Sequence, residues 1–519
     1  MSLSQAQLDA LRARNLGAGL SINDIPSNVQ VNSYSVELRP EPFGTTQNLY
    51  NIYLEDLYAV TDRLNVTLGV RYDYDNLSKG GADHGDRNNV APRANFNYRL
   101  TERSSLRGGY GIFYDKILYT VYSDALQQNT TSADYKTELR ELVRVGALPA
   151  NTDVDRITFD GNLSGSASNV AYLKGPSGAT LQNQRAGVPS NESRILNPNG
   201  YQNPYSHQST LGYQYQVSKK SLFYVDLMYN RSYDLFRLRN VNAPSEYPQN
   251  DPNNVVVRTP AQADATRPVP IQADGSAIIG GQTVVGAARN IVETESAGRS
   301  RYMAASFNLQ KDAAEDKYGY RITYTLSNLK NDTEDVNFRA ADANNYGAEF
   351  ANSINDRTHV INAIGSYYPV RSLRFTLAAL IQSGQPINRV AGAYPIPGVF
   401  NPDGTQAYTN DLNGDGNSFS TTYQGNTNRY PGESRNSDRL PWSKTFDVGA
   451  QYTLHFGEAT SRLELTADVF NILNTQNLSG YANNATQSNQ IQVGPAGSGI
   501  VRRNASAPRQ FQFGLRYAL

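Results

Sequence analysis

The sequence predicts an all-β fold, an antiparallel barrel that crosses a membrane, and three observations carry that prediction. Stretches of about ten residues alternate apolar and polar side chains along the chain. Their connections switch between tight turns and long polar segments. Tyrosine dominates, with 35 tyrosines against one tryptophan and three methionines, a bias that suits strands and wet-dry interfaces better than helical cores.

From the N-terminus, residues 1–28 read as a separate segment. "MSLSQAQLDALRARNLGAGLSIND" lacks an uninterrupted apolar run after a basic start, so it is not a secretory signal; Leu8, Leu11 and Leu16 suggest one short amphipathic helix. Residues 29–519 read as barrel, starting with a candidate strand over Val29–Arg39. In "RLNVTLGVRYDYD" the apolar face is Leu64, Val66, Leu68, Val70, Tyr72 and Tyr74, and in "STLGYQYQV" it is Leu211, Tyr213, Tyr215 and Val217. "SLFYVDLMYN", "YGYRITYTLS", "LRFTLAALI", "TFDVGAQYTLHF" and "SRLELTADVF" repeat the period of two. The chain closes on "PRQFQFGLRYAL", with Phe511, Phe513, Leu515, Tyr517 and Leu519 opposite Gln510, Gln512, Gly514, Arg516 and Ala518. One residue breaks the rule: Asp56 falls in the apolar register of "IYLEDLY".

Strands pair through a few residues at Thr61 and Asp62, Thr101 to Arg103, Ser218 to Lys220, Pro369 to Ser372 and Gly457 to Thr460, lengths that make hairpin turns. Between pairs run about 90 residues from Lys116 to Ser206, about 65 from Asp234 to Arg299, and shorter excursions rich in Asn, Gly, Pro, Ser and Asp. Tight turns on one side and long loops on the other are the pattern of an outer-membrane barrel. A soluble sandwich explains the alternation equally well, but not the regular connections or strands long enough for a tilted crossing. Six hairpin pairs, the last strand and Val29–Arg39 give about 14 strands.

Composition excludes several function classes. The 47 basic and 47 acidic residues cancel, so no field recruits nucleic acid. No cysteine is present, which removes disulfides, thiolate catalysis and Cys-ligated metals. No apolar run reaches the roughly 20 residues of a membrane helix.

"YNIYLEDLYAVTDRLNVTLGVRYDYDN", "NVAPRANFNYRLTERSSLRGGYGIFYDK", "DLNGDGN" with "RNSDRLPWSKTFDVGAQYTL", "LELTADVFNILNTQN" and the terminal "RQFQFGLRYAL" resemble, in that order, the barrel of TonB-dependent outer-membrane receptors, particularly the Oar-like branch that carries a carboxypeptidase-regulatory-like domain. The resemblance runs from about Asn48 to the end. It implies a barrel of about 22 strands, of which about 14 are visible here, and uptake of bulky nutrients such as metal chelates, glycans or peptides. It also implies a lumen plug and an N-terminal TonB box. Neither these nor a signal peptide is seen in this sequence, so the expectation is the C-terminal part of such a receptor. TonB becomes a partner only where the plug is present. The other expected partners are outer-membrane lipid, an extracellular ligand and the barrel-assembly machinery, which reads the terminal signal Phe511, Phe513, Tyr517 and Leu519; the family usually ends on an aromatic residue, where this chain has Leu519. A passive porin-like channel and a surface adhesin are the alternatives.

One stretch has ligand spacing. Asp411, Asn413 and Asp415 followed by Gly416 reproduce the first half of an EF-hand-type calcium loop, with Asn417 offering its carbonyl. Position 12 of that loop is Thr422, where a bidentate glutamate belongs, and ordinary turn chemistry explains the same residues. Apart from this candidate structural calcium, no cofactor is expected. Nor is catalysis: His84, His207, His359 and His455 have no partner spacing. Asp226, Asp447, Glu464, Asp468, Arg321, Arg374, Arg462 and Arg516 alternate with the apolar residues and are expected to line the lumen as satisfied ion pairs. "RGGYG" at Arg107 to Gly111 lies within a strand pattern, not a phosphate loop.

Overall fold

A computed structural model describes residues 39–40, 45–127, 133–158, 163–164, 190–247, 257–284, 287–313, 316–391, 394–409, 411–412, 414, 429, 432–456, 461–482, 490–493, 501–504 and 506–518. Thirteen long strands follow one another in a single antiparallel meander. They are β1 (Leu49–Thr61), β2 (Leu64–Asp75), β3 (Val90–Thr101), β4 (Ser104–Tyr114), β5 (Tyr205–Ser218), β6 (Ser221–Asn240), β7 (Ala288–Lys311), β8 (Tyr318–Asn331), β9 (His359–Val370), β10 (Leu373–Gln382), β11 (Ser443–His455), β12 (Arg462–Phe470) and β13 (Gln510–Ala518). Two short strands, Ser190–Ile195 and Ala351–Asn352, add to β7 and β8. The six expected hairpin pairs and the last strand are all present. The candidate strand Val29–Arg39 and the N-terminal helix lie outside the described residues, apart from Arg39.

Three of the tight turns share one chemistry. Thr61 Oγ1 accepts from the Arg63 and Leu64 amides at 3.2 and 3.0 Å, Thr101 Oγ1 from the Arg103 amide at 3.2 Å, and Ser218 Oγ from the Lys220 amide at 3.2 Å. A hydroxyl at the end of each strand thus satisfies the amides the ladder cannot reach. The expected turn at 457–460 lies outside the described residues.

Register sorts the side chains onto two faces. Tyr58, Val66, Phe96, Gly108, Leu211, Leu227, Ala305 and Leu326 are successive cross-strand partners, and Phe513, Ala467, Ala450, Phe375 and Tyr367 continue the same face. The apolar residues of the alternating stretches stand together on this outward face, where Leu211, Leu227, Leu377 and Leu515 are exposed. Rings mark its two margins. Tyr110, Tyr114, Tyr205, His207 and Tyr233 contact one another near the loop end, as do Tyr324, His359 and Trp442; Tyr98, Tyr215, Tyr318 and Tyr452 stand exposed toward the turn end. From Tyr205 to Tyr215 is about 33 Å along β5 at ~3.3 Å per residue, or about 25 Å along the membrane normal at a tilt of ~40°, the height of an apolar membrane band. Asp56 faces outward opposite Leu68 on the edge strand β1.

Among the described residues β1 and β13 are the two edges of the sheet. Both run from the loop end to the turn end, so a direct seam between them is parallel. An antiparallel closure takes an odd number of further strands.

The buried core lies at the loop end, not between the strands. The segments expected to be wandering polar loops carry helices α1 (Tyr119–Gln127) and α2 (Ala133–Arg144), and Leu77, Val121, Tyr135, Leu139, Tyr201 and Ile291 pack together there. In α2, Tyr135, Leu139 and Leu142 recur at helical spacing and are fully buried, and Gly146, at φ 80°, takes the left-handed conformation just past the helix end. β6 and β7 also run further than their apolar alternation suggests, to 20 and 24 residues, and rise as a paired shaft into this core.

A charge on the outward face belongs in hydrocarbon, and one on the inward face in water. Leu227→Arg is therefore expected to destabilise the lipid-embedded chain by about 2–4 kcal/mol, and Thr210→Arg, on the inward face, by less than about 1 kcal/mol. Denaturant unfolding from lipid vesicles, followed by tyrosine fluorescence, measures both.

Candidate functional site: the inner wall and the loop end

The eight charged residues expected in the lumen all take the inward register. Asp226 is opposite Gly212, and Gly212 is opposite Arg107. The Arg107 guanidinium reaches across the middle strand to Asp226 at 2.7 Å and to Gln214 Oε1 at 3.1 Å. Glycine is needed between them, because a Cβ at position 212 meets Asp226 Oδ1 at 2.4 Å and Arg107 Nε at 2.9 Å. At the other end of the sheet Glu464 pairs with Arg462 at 3.0 Å and Arg516 at 4.0 Å. Asp447 Oδ1 accepts the Asn471 amide at 2.7 Å, and Arg374 lies 6.0 Å from the Tyr368 ring. These groups line one face without converging on a single pocket. Each of these exposed pairs contributes no more than about 1 kcal/mol. Arg93, stacked 4.5 Å over Phe113, and Arg107 extend the wall; sequence reasoning missed both, although the same period-two alternation marks them. "RGGYG" is strand β4, and its Gly109 leaves room for Asn95, whose Oδ1 lies 2.0 Å from where a Cβ would stand.

The strongest electrostatics lie at the loop end, among residues not singled out from sequence. Glu349 is completely buried and held by Arg429 through two hydrogen bonds of 2.8 and 2.9 Å. Arg435, equally buried, donates to the Glu349 carbonyl at 3.0 Å, to Glu334 and to Asn331, and its guanidinium stacks 5.1 Å over Phe338. Glu334 also accepts from Ser353 Oγ at 2.8 Å and the Ile354 amide at 3.0 Å. Desolvation lowers the Arg435 pKa, opposed by the two glutamates. Three segments far apart in sequence are clamped by this cluster: the one after β8, the one around 349, and 429–439. Charge count alone reveals no such partnership, since it depends on how the loops fold.

A second buried carboxyl holds α2. Glu138 Oε2 accepts the Ala288 amide at 2.7 Å, while Oε1 has no partner. Burial pushes its pKa up to about 8, against the pull of that amide and Arg267.

The calcium candidate is only partly visible. Asp411 is buried, its amide donating to Thr409 Oγ1 at 3.0 Å; Asn413, Asp415 and Asn417 lie outside the described residues. Among the described residues no group of three or more His, Asp and Glu side chains is placed to hold a metal. Of the terminal signal, Phe511, Phe513 and Tyr517 stand exposed on the outward face of β13, and Leu519 lies outside the described residues.

Two outcomes are expected. Glu349→Ala strands Arg429 in a buried site and costs about 3–5 kcal/mol, read as faster proteolysis of the loop end with the strands still protected. Glu138 binds a proton more tightly folded than unfolded, so its contribution is fully present below about pH 4.5 and is lost as pH rises to about 8. Loop-end hydrogen exchange should accelerate across that window, and Glu138→Gln should flatten the dependence.

The outer membrane beta barrel domain family matches residues 76–512, and the TonB dependent receptor-like, beta-barrel family matches residues 4–138. No curated protein matches the chain. Similar solved structures include the outer membrane transporter YddB from Escherichia coli (14% identity over 91% of this chain and 45% of that one, TM-score 0.43) and the siderophore receptor PirA from Acinetobacter baumannii (14%, 91%, 46%, TM-score 0.45). A mutant of the ferric enterobactin receptor PfeA from Pseudomonas aeruginosa is a third (13%, 91%, 44%, TM-score 0.42). The chain spans less than half the length of these structures. With its two-faced meander of thirteen strands and a family match over most of its length, this chain belongs to the outer membrane beta barrel domain family.

Proposed function

We propose that this chain is the barrel of a TonB-dependent receptor of the bacterial outer membrane, similar to the Oar-like branch, whose loop end captures an extracellular ligand for uptake. The observation that carries this reading is the division of labour in the sheet: an apolar face bordered by rings, a charged inner face, and an ordered structure built only at the loop end. The match of residues 4–138 to the TonB dependent receptor-like barrel supports it. A ligand passes along the inner wall that Arg107 and Asp226 line at one end of the sheet and Glu464 and Arg516 at the other. Coupling to TonB belongs to a plug, and a calcium ion at Asp411, Asn413, Asp415 and Asn417 would serve only to order a loop.

Single-cysteine variants test the orientation cleanly, because the chain has no cysteine of its own. On intact cells, a membrane-impermeant maleimide is expected to label Val145→Cys at the loop end and to spare Arg103→Cys in a tight turn. Retention of a labelled ferric chelate, oligosaccharide or peptide by the same cells, lost when residues 133–158 are deleted, then identifies the ligand class. Recovery of the chain in the soluble fraction, or labelling at Arg103→Cys alone, contradicts the reading.

A further inference from the structure

Two arginines, a lysine and a histidine stand side by side on the outward face, where an outer-membrane barrel meets lipid. His207, Arg231, Arg301 and Lys330 are successive cross-strand partners on β5, β6, β7 and β8. Their parity is that of Leu211, Leu227, Ala305 and Leu326, so all four face outward. Each lies about ten to twelve residues from the turn end of its own strand, and a tilted crossing takes about 9–11. The row therefore sits where hydrocarbon gives way to headgroups.

The row is internally repulsive. Side chains directly opposite have Cβ atoms about 4.5–5.5 Å apart, and like charges in that position destabilise the sheet. Nothing acidic offsets it: among the described residues Arg231, Arg301 and Lys330 make no ion pair, and Arg301 Nε is buried without a hydrogen-bond partner. The nearby carboxylate Asp332 is already held by Arg237 and Arg299, each at 3.4 Å, and Lys330 has the neutral Asn352 opposite it. Yet two of the four are held in place. Arg231 stacks 5.0 Å from the Tyr233 ring, and the His207 Nδ1 lies 2.6 Å from the Tyr110 hydroxyl. Three cations without counter-charge and a histidine beside them, set among interfacial rings, make a site for an anion.

We propose that His207, Arg231, Arg301 and Lys330 form a binding site for a phosphorylated lipid headgroup of the outer leaflet. Four strands at about 4.8 Å spacing place these four side chains along roughly 14 Å, a span that suits a headgroup bearing two phosphates better than a single ion. Arginine binds phosphate oxygens through two parallel N–H donors, and the surrounding rings hold the acyl-proximal part of the lipid. The inference rests on the outward face being the lipid face.

The test uses the full chain in detergent and native mass spectrometry, with lipid A, a glycolipid carrying two phosphates, as the probe. Wild type is expected to retain lipid A at least tenfold better than its dephosphorylated form. The triple variant Arg231→Gln, Arg301→Gln, Lys330→Gln is expected to lose that preference, and Arg371→Gln in the β9–β10 turn to keep it. Should the triple variant not fold, Arg301→Gln alone is expected to weaken retention at least threefold. Equal retention of both lipids, an unchanged variant, or displacement by millimolar inorganic phosphate would overturn the site, the last by showing a plain anion site. A chain that takes up no detergent overturns the membrane reading along with the site, whereas a detergent-bound chain indifferent to the phosphates overturns the site alone.

Discussion

Inside a bilayer no water reaches a backbone amide or carbonyl, and the rest of this structure depends on that constraint. Every spanning segment must pair with neighbours along its whole length, which is why the chain builds one continuous ladder from Leu49 to Ala518 instead of the short strands of a soluble sandwich. The same constraint bears on the edges. Among the described residues β1 and β13 have no strand on their outer side, and they run in the same direction, so neither can cap the other in the antiparallel pattern of the sheet. Their side chains are exposed on both faces, and Asp56 faces outward from the strand with the least cover.

Stability is distributed unevenly as a result. The strands bury little of their own apolar surface within the protein, since lipid is the partner of the outward face. The loop end instead folds as a soluble domain does, with a packed apolar core and buried ion pairs. Asp75 joins the two regimes: at the end of β2 it accepts from Gln47 Nε2 at 2.7 Å and from the Ile117 and Leu77 amides at 2.8 and 2.9 Å, fixing where the ladder stops and the cap begins. A rigid cap presents a defined surface to a ligand, whereas free loops lose conformational entropy on capture.

What the sequence made legible was whatever repeats locally. Period two reported each strand and its inward face, so Asp226, Glu464 and Arg516 were placed on the lumen side from alternation alone. Thr61, Thr101 and Ser218 were legible as turn positions because only a few residues join the alternating stretches there; that each hydroxyl accepts from an amide two residues on became visible only in the structure. Features that depend on distant partners were not legible. Tyr135, Leu139 and Leu142 do recur at helical spacing, but they lie in a segment whose polar composition hides three residues. The clamp of Glu349 by Arg429 and Arg435 joins positions some 80 residues apart, and the outward row from His207 to Lys330 exists only once four registers are known. Gly212 is the clearest case: it reads as a weak strand residue, and its purpose is visible only in the ion pair that crosses it.

The central claim is that one face of the sheet meets lipid and the other meets water. Cysteines introduced singly at residues 208 to 211 and 213 to 215 of β5, in a chain otherwise free of thiols, would be reacted with a water-soluble maleimide after reconstitution into lipid nanodiscs. Labelling is expected at 208, 210 and 214 and protection at 209, 211, 213 and 215. Uniform labelling, or protection of the even positions, would contradict it.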